Sequence, residues 1–434
     1  MNALFNLAAR SAWHRRGTLA LVVLSIALAT LLLLTLERLR QDVRAGFAQA
    51  VSGTDLVVGA RTGPVQLMLY AVFRIGSGAN PVRMASLREL EAHRAVAWLV
   101  PISLGDSHRG FPVMGTTAAY FTRFLYGDKQ PLALAQGRAF AGTLDGLYEV
   151  VIGAELAEHL HYELGQKITL SHGASVDDHD HDKERGPLAQ HHGDKPFTVV
   201  GVLARTGTPV DRTLHVSLQA IEAMHLDWAG GAPLPGLKVA PEQARKFDLE
   251  AKQVSAALVG LKSRSAVFTV QRWVADYTPE PLLAVLPGVA LDELWQLVGV
   301  GERALMLMSA VVAAVSLAGL VAVVLAGLNE RRRELAVLRA LGAGPRHVMW
   351  LLMLEGALVT GLGALLGLIA SLGAVALAGP WVQQALGISL RLTAPSTTQW
   401  ALLAAVLVAG MLASLVPAAR AYRLSLADGL TPRS

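Results

Sequence analysis

Residues 18–36 read TLALVVLSIALATLLLLTL, a run without a charged side chain, bounded by Arg15 and Arg16 on one side and Glu37 and Arg38 on the other. As a helix it is about 28 Å long, close to the roughly 30 Å of a bilayer's hydrocarbon core. Three more apolar blocks follow at 304–328, 348–378 and 400–419, and the third is long enough to tilt or to project beyond the membrane. The fold class that follows is an α-helical membrane protein with four transmembrane helices. A mean hydropathy of +0.43 with 16% charged residues agrees, because a wholly soluble chain of 434 residues carries more charge.

Lysine and arginine near the ends of spans mark the cytoplasmic side. They cluster at Arg10, Arg15 and Arg16, between the second and third spans, and after the fourth, whereas 379–399 holds only Arg391. With an even number of spans, this predicts a multi-pass protein of the bacterial inner membrane with both termini in the cytoplasm. A cleavable signal peptide ending at Ala48-Gln49-Ala50 is the rival for the first span, but that site lies far beyond the apolar run, across Glu37, Arg38, Arg40, Asp42 and Arg44. The net charge of +5 does not point to nucleic acid, since many arginines flank the spans.

The predicted layout is an N-terminal interfacial helix at 1–17, where Leu4, Phe5, Leu7 and Trp13 precede the arginines, the first span at 18–36, and an external domain at 37–303. Then come the second span at 304–328, a cytoplasmic helix at 329–347, the third span at 348–378, a short external loop at 379–399, the fourth span at 400–419 and a tail at 420–434. The external domain alternates β-rich and helical runs, an α+β pattern. Strands are expected at 55–59, 97–104, 149–152, 167–171, 197–203 and 267–270, and helices at 86–95, 117–126, 154–162, 217–225 and 248–259. Residues 37–51 and 291–303 look like helical extensions of the first two spans, a stalk linking the membrane to the external domain.

There is no cysteine, so neither a disulfide nor a thiolate metal site exists. From 171 to 195 the composition turns to His, Asp, Gly and Lys. His172, His179, His181, His191 and His192, interleaved with aspartates, are imidazole ligands able to take Zn²⁺, Cu²⁺ or Ni²⁺. The competing reading is a solvated loop, because structural zinc ligands normally sit at fixed spacing on rigid elements. No GxxxxGK[ST], HExxH or GxSxG pattern occurs, so nothing positive supports an enzyme.

The stretch 329–346 reads NERRRELAVLRALGAGPR. On a helix Leu335, Leu338 and Leu341 fall near one face, Glu330, Arg331, Arg333, Glu334 and Arg339 cover the rest, and Gly342, Gly344 and Pro345 end it. Topology accounts for the arginines but not for Glu330 and Glu334, which with the apolar stripe suggest a surface that docks on another protein. Glu355, near the inner end of the third span, either has a partner or water, or reaches the interface. Gly363 and Gly367 form a small-xxx-small pair that permits close helix contact.

This loop, the run Leu351 to Gly356 and the glycines at 361, 363 and 367 resemble the permease core of the MacB/FtsX/LolCE superfamily of ABC transporters, and 417–430 resembles its closing motif. Residues 55–60, 149–153 and 199–203 are similar to a branch of stand-alone permeases whose external domain has a porter-like part and an inserted part, here about 116–234. The resemblance implies no intrinsic cofactor, with ATP and Mg²⁺ on a separate cytoplasmic ATPase dimer. It also implies a second permease copy or paralogue as partner, and an external domain moved by ATP-driven closure to expel or extract a substrate. A periplasmic protein and membrane lipid are further expected partners. The alternatives are a transmitter that activates a periplasmic enzyme, and a membrane-anchored receptor for a divalent metal.

Overall fold

The computed structural model describes residues 16–50, 52–76, 80–172, 190–191, 195–229, 232–233, 239–330, 344–386 and 392–423. The chain divides into two compact units, one made of Met1–Val43 with Val298–Ser434, the other of Arg44–Leu297.

Four helices, Arg16–Gln49, Pro287–Glu330, Pro345–Leu386 and Thr397–Arg423, are long and apolar enough to cross a membrane. Their apolar windows are Gly17–Gly46, Val298–Ala326, Pro345–Val382 and Thr397–Arg420. The second helix therefore begins eleven residues before its window, at Pro287, without a break.

The other unit is an α/β domain around a mixed sheet of twelve strands. In chain order these are β1 (Leu56–Ala60), β2 (Val96–His108), β3 (Phe111–Thr116), β4 (Leu134–Gly137), β5 (Glu149–Ile152) and β6 (Lys167–Ile168). They continue with β7 (Ser171–His172), β8 (Gln190–His191), β9 (Phe197–Leu203), β10 (Leu214–Ser217), β11 (Ala256–Leu261) and β12 (Leu282–Val285). The main path runs β12-β1-β11-β2-β3-β10-β5-β9-β4, with β7 joining β2 to β8 and β6 on β9. Only β3–β10 and β5–β9 along that path are parallel.

Both faces of the sheet are buried, and side chains alternate between them as a pleated strand requires. Val57, Val100, Ile102, Met114, Val151, Ala256 and Leu258 enter one shared core. On the other face Leu56, Val58, Leu99, Ala257 and Val259 belong to a second core, and Val113, Val150, Ile152, Val199, Leu214 and Val216 to a third. Such strands read as continuous apolar runs rather than as alternation.

That explains two corrections. Residues 248–259, expected as a helix, hold the strands Gln253–Val254 and Ala256–Leu261, because Ala256 to Val259 are covered on both sides and lack the period of two. Residues 267–270, expected as a strand, open the helix Val267–Ala275, whose buried Val267, Val270 and Val274 follow helical spacing despite their β-branched side chains. Residues 117–126 hold only the turn of helix Tyr120–Arg123 and the strand Leu125–Tyr126. Strands β5 and β9 coincide with the expected 149–152 and 197–203, while β3, β10 and β12 had not been expected.

His215 on β10 is fully buried, with its ring centroid 5.4 Å from that of Tyr120 and 5.8 Å from that of Phe121. Burial, with the nearby Arg74 charge, pushes its pKa down to about 3, against the hydrogen bond between Nδ1 and the Val151 carbonyl at 3.2 Å. The unfolded chain takes up this proton below about pH 6.5 and the folded chain does not until about pH 3, so stability is lost as pH falls through that window. Each pH unit below about 6 is expected to cost about 1.4 kcal/mol. Chemical unfolding between pH 7.5 and 5 should show this slope in the wild type and a shallower one in His215→Gln; equal slopes would remove His215 as its source.

Candidate functional site in the membrane helices

Lipid supplies no hydrophobic force between helices, so they associate where small residues let backbones approach and polar side chains find partners. The third helix, Pro345–Leu386, makes two such crossings. A Cβ placed on Gly363 would lie 2.8 Å from Cβ of Ile26, and one on Gly367 would lie 2.6 Å from Cβ of Thr30 and 2.7 Å from the Ala27 carbonyl. Two turns earlier a Cβ at Gly356 would collide with Ser414 of the fourth helix, and one at Gly410 of the fourth helix with Thr360 of the third. The hydroxyls of Thr360 and Ser414 each donate back to the carbonyl four residues earlier, at 2.8 Å. Their hydrogen bonds are thus met within the helix while the side chains stay small at the crossing.

Polar contacts fix the same three helices along their axes. Thr35 and Ser371 share a hydrogen bond of 3.1 Å between the first and third helices. Ser396 and Gln399 form a reciprocal cap at the start of the fourth helix: the Ser396 amide donates to Gln399 Oε1 at 2.9 Å and the Gln399 amide to Ser396 Oγ at 3.3 Å. The remaining amide group of Gln399, itself buried, donates to the Leu34 carbonyl of the first helix at 3.1 Å. One turn further, Arg38, 4% exposed, donates to the carbonyl and hydroxyl of Thr393 at 3.0 and 2.7 Å and lies 3.8 Å from Asp42. Glu37, fully buried, accepts from Arg40 and Gln41.

The second helix is held differently. Towards its Glu330 end, Leu320 and Val324 pack with Leu19, Val22, Val348 and Leu352. Ser316 shares a 2.8 Å hydrogen bond with Ser25. Beyond that point an apolar cleft of about 310 Å³ opens, lined by Ile26 and Thr30 of the first helix, Ala310 and Ala314 of the second and Ala405 and Ala409 of the fourth.

The residues singled out from sequence are placed as follows. Gly363 and Gly367 meet the first helix, as given above, and Glu355 is 4% exposed on the third. Glu330 is the last residue of the helix Pro287–Glu330; Arg331, Arg333, Glu334, Leu335, Leu338, Arg339 and Leu341 lie outside the described residues. In the α/β unit His172 and His191 sit on the paired strands β7 and β8, and His179, His181 and His192 lie outside the described residues. Among the described residues no three His, Asp or Glu side chains gather as a metal cluster. Sequence reasoning passed over Arg38, Thr360, Gln399, Gly410 and Ser414. The Ser396-x-x-Gln399 spacing was a signal for the cap, whereas the Arg38–Thr393 contact joins residues 355 apart and has no local sign.

Two family models match the chain. A MacB-like periplasmic core domain covers residues 17–274, more than half of it, and an FtsX-like permease C-terminal domain covers residues 306–426. The lipoprotein-releasing system transmembrane protein LolC of Neisseria meningitidis serogroup B is 26% identical over 245 residues, which are 56% of this chain and 51% of that one. The match thus spans about half the length of that relative. Among solved structures, the periplasmic region of MacB from Actinobacillus actinomycetemcomitans is similar at a TM-score of 0.33 and 11% identity, covering 57% of this chain and 97% of that one. The extracellular domain of the noncanonic ABC-type transporter YknZ from Gram-positive bacteria has a TM-score of 0.31 and 14% identity, covering 53% and 98%.

The helix contacts predict a graded response to side chains on the third helix. Gly363→Leu and Gly367→Leu are expected to destabilise the bundle by about 1–3 kcal/mol each through overpacking, while Gly373→Ala, where nothing lies within 4 Å, should be neutral. Thermal midpoints of the detergent-solubilised protein test this. Equal midpoints for all three variants would mean that the third helix does not depend on these crossings.

Proposed function

The chain belongs to the MacB/FtsX/LolC-type family of ABC transporter permeases, and on that premise we propose that it carries ATP-driven motion of a separate cytoplasmic ATPase to its extracytoplasmic domain, for efflux or extraction of a substrate. The observation that carries this reading is the length of two helices. Pro287–Glu330 has 44 residues, about 66 Å of continuous helix, and Arg16–Gln49 has 34, about 51 Å. Both exceed the roughly 30 Å of hydrocarbon by more than half. A continuous helix transmits axial displacement and rotation because its backbone hydrogen bonds couple every turn, which a loop at the membrane surface would not.

In this proposal the protein sits in the bacterial inner membrane with both termini in the cytoplasm, pairs with a second copy or a paralogue, and presents 116–234 as an inserted part of the external domain. Glu330 and Glu334 with the stripe Leu335, Leu338 and Leu341 dock on the ATPase, which supplies ATP and Mg²⁺. Arg331, Arg333 and Arg339 hold the loop on the cytoplasmic side.

Docking and topology depend on different residues, so they separate experimentally. Glu330→Lys/Glu334→Lys and Leu338→Asp are expected to insert normally yet lose the ATPase, because a reversed charge against a complementary surface costs several kcal/mol. Co-purification and stimulated ATP hydrolysis in nanodiscs measure this. Retention of the partner and full stimulation in both variants would rule out the loop as the coupling site. An Asp180→Cys variant of this cysteine-free chain should label from outside intact spheroplasts; labelling only after lysis would reverse the topology.

A further inference from the structure

Thr54, Arg74 and Tyr120 face one small cavity in the α/β unit, whose wall is otherwise apolar, with Ile102, Met114 and Leu258 on it. Its volume is about 10 Å³, close to the least that holds a single water-sized guest. Each of the three residues brings a buried polar atom with no hydrogen-bond partner among the described residues: Thr54 Oγ1, Arg74 Nε and Tyr120 Oη. Thr54 is 8% exposed and Tyr120 1%. Buried donors without acceptors are costly and rare, so three of them at one cavity call for a guest that accepts.

The setting of Arg74 says what kind of guest. It closes the helix Pro64–Ala71 at φ 57, the left-handed conformation that glycine adopts most readily. From there its guanidinium reaches into the core: Nη1 donates to the Val72 carbonyl, and Nη2 to Sδ of fully buried Met114 at 3.2 Å. A thioether is a weak acceptor, and among the described residues the guanidinium has no carboxylate partner. Its permanent positive charge thus lacks a counter-charge. Burial pushes the pKa of the Tyr120 phenol up, and the Arg74 charge beside it opposes that rise. The phenol therefore keeps its proton at neutral pH and donates. A water accepts two hydrogen bonds and carries no charge, whereas a halide ion accepts from all three donors and neutralises the guanidinium. The volume suits one atom-sized guest rather than a polyatomic anion.

We propose that Thr54, Arg74 and Tyr120 form a binding site for one halide ion, chloride being the abundant one, which accepts from Thr54 Oγ1, Arg74 Nε and Tyr120 Oη. The ion joins three separate parts of the α/β unit. Thr54 lies between the helix Arg16–Gln49 and β1, Arg74 follows the helix Pro64–Ala71, and Tyr120 begins the helical turn after β3. Occupancy therefore stabilises the place where the chain passes from its first long helix into the sheet, and it does not depend on ATPase coupling.

The test uses the full-length protein in detergent, exchanged into sodium gluconate and titrated with NaCl at constant ionic strength, with the thermal midpoint as readout. Chloride at ten times its Kd is expected to raise the wild-type midpoint by about 3 °C or more, and the concentration dependence gives the Kd. Tyr120→Phe and Thr54→Val each remove one donor with little change of shape, and each is expected to weaken chloride at least fivefold. Arg74→Gln is expected to abolish the response. In crystals soaked with NaBr, the anomalous signal of bromide should appear between Arg74 and Tyr120. If Arg74→Gln does not fold, the two hydroxyl variants decide the matter, since losing an unpartnered hydroxyl strands no other group. Equal midpoints in chloride and gluconate mean that the cavity takes water only, and overturn the proposal. So does a wild-type chloride response in both hydroxyl variants. No ATPase takes part in these measurements, so failure here leaves the coupling reading untouched, and failure of coupling leaves the halide site untouched.

Discussion

Close approach of helix backbones is the constraint on which the membrane unit depends. In hydrocarbon a leucine gains nothing by leaving lipid for a neighbouring helix, so only density of contact and satisfied polar groups favour association. Each pairwise dispersion contact is worth about 0.1–0.2 kcal/mol, and a gap of about 0.5–1 Å forfeits roughly a quarter to a half of it. Gly363 and Gly367 against Ile26 and Thr30, and Gly356 and Gly410 against Ser414 and Thr360, remove the side chains that would open such gaps. The third helix touches the fourth at Gly356 and the first at Gly363 and Gly367, two and three turns further along nearly the same stripe.

The α/β unit meets the opposite condition, since water drives its assembly and its sheet is covered on both faces. Leu56 and Val58 point into one core and Val57 into another, so β1 has no wet side. A one-residue slip would exchange the two sets rather than expose either, and apolar burial alone then specifies register weakly. Specific fits supply the rest. Gly260 on β11 lies against the indole of Trp98 on β2, and Gly153 against the carbonyls of Val210 and Asp211, where no larger residue fits.

Much of this was legible in the sequence, and the limits are physical. Spans are legible because twenty consecutive apolar residues have few other uses, and β5 and β9 because short apolar runs, one ended by Gly153 and the other begun after Pro196, have the length of strands. The run 256–259 was misread because Ala and Leu favour helices locally, while its environment, set by residues 150 to 200 positions away, favours a strand. The spacing of Gly363 and Gly367 announced a helix crossing but could not name Ile26 and Thr30 as the other side. The acids and leucines of 330–341 carry a charge pattern that a sequence shows well, yet the ATPase surface that the proposal has them meet would belong to another chain. Thr54, Arg74 and Tyr120, on separate elements, give no sign in sequence of facing one cavity.

The ties among the helices are uneven, and the unevenness bears on how motion would pass through them. The first, third and fourth are joined by glycine crossings and by the bonds of Thr35, Gln399 and Arg38, so displacing one against another means breaking close contacts and buried hydrogen bonds together. Leaving a buried group such as the Arg38 guanidinium without its acceptors is among the larger single penalties, which makes that end of the trio a rigid joint. The second helix packs closely near Leu320 and Val324, meets the first through Ser25 and Ser316, and then borders the cleft at Ala310 and Ala314. At its start Ala290 and Leu291 are buried in the core of the α/β unit, with Leu294 and Trp295 packed against it. In the coupling proposed above, a force applied beyond Glu330 would reach, through one continuous helix, residues that share a core with Val285 of β12.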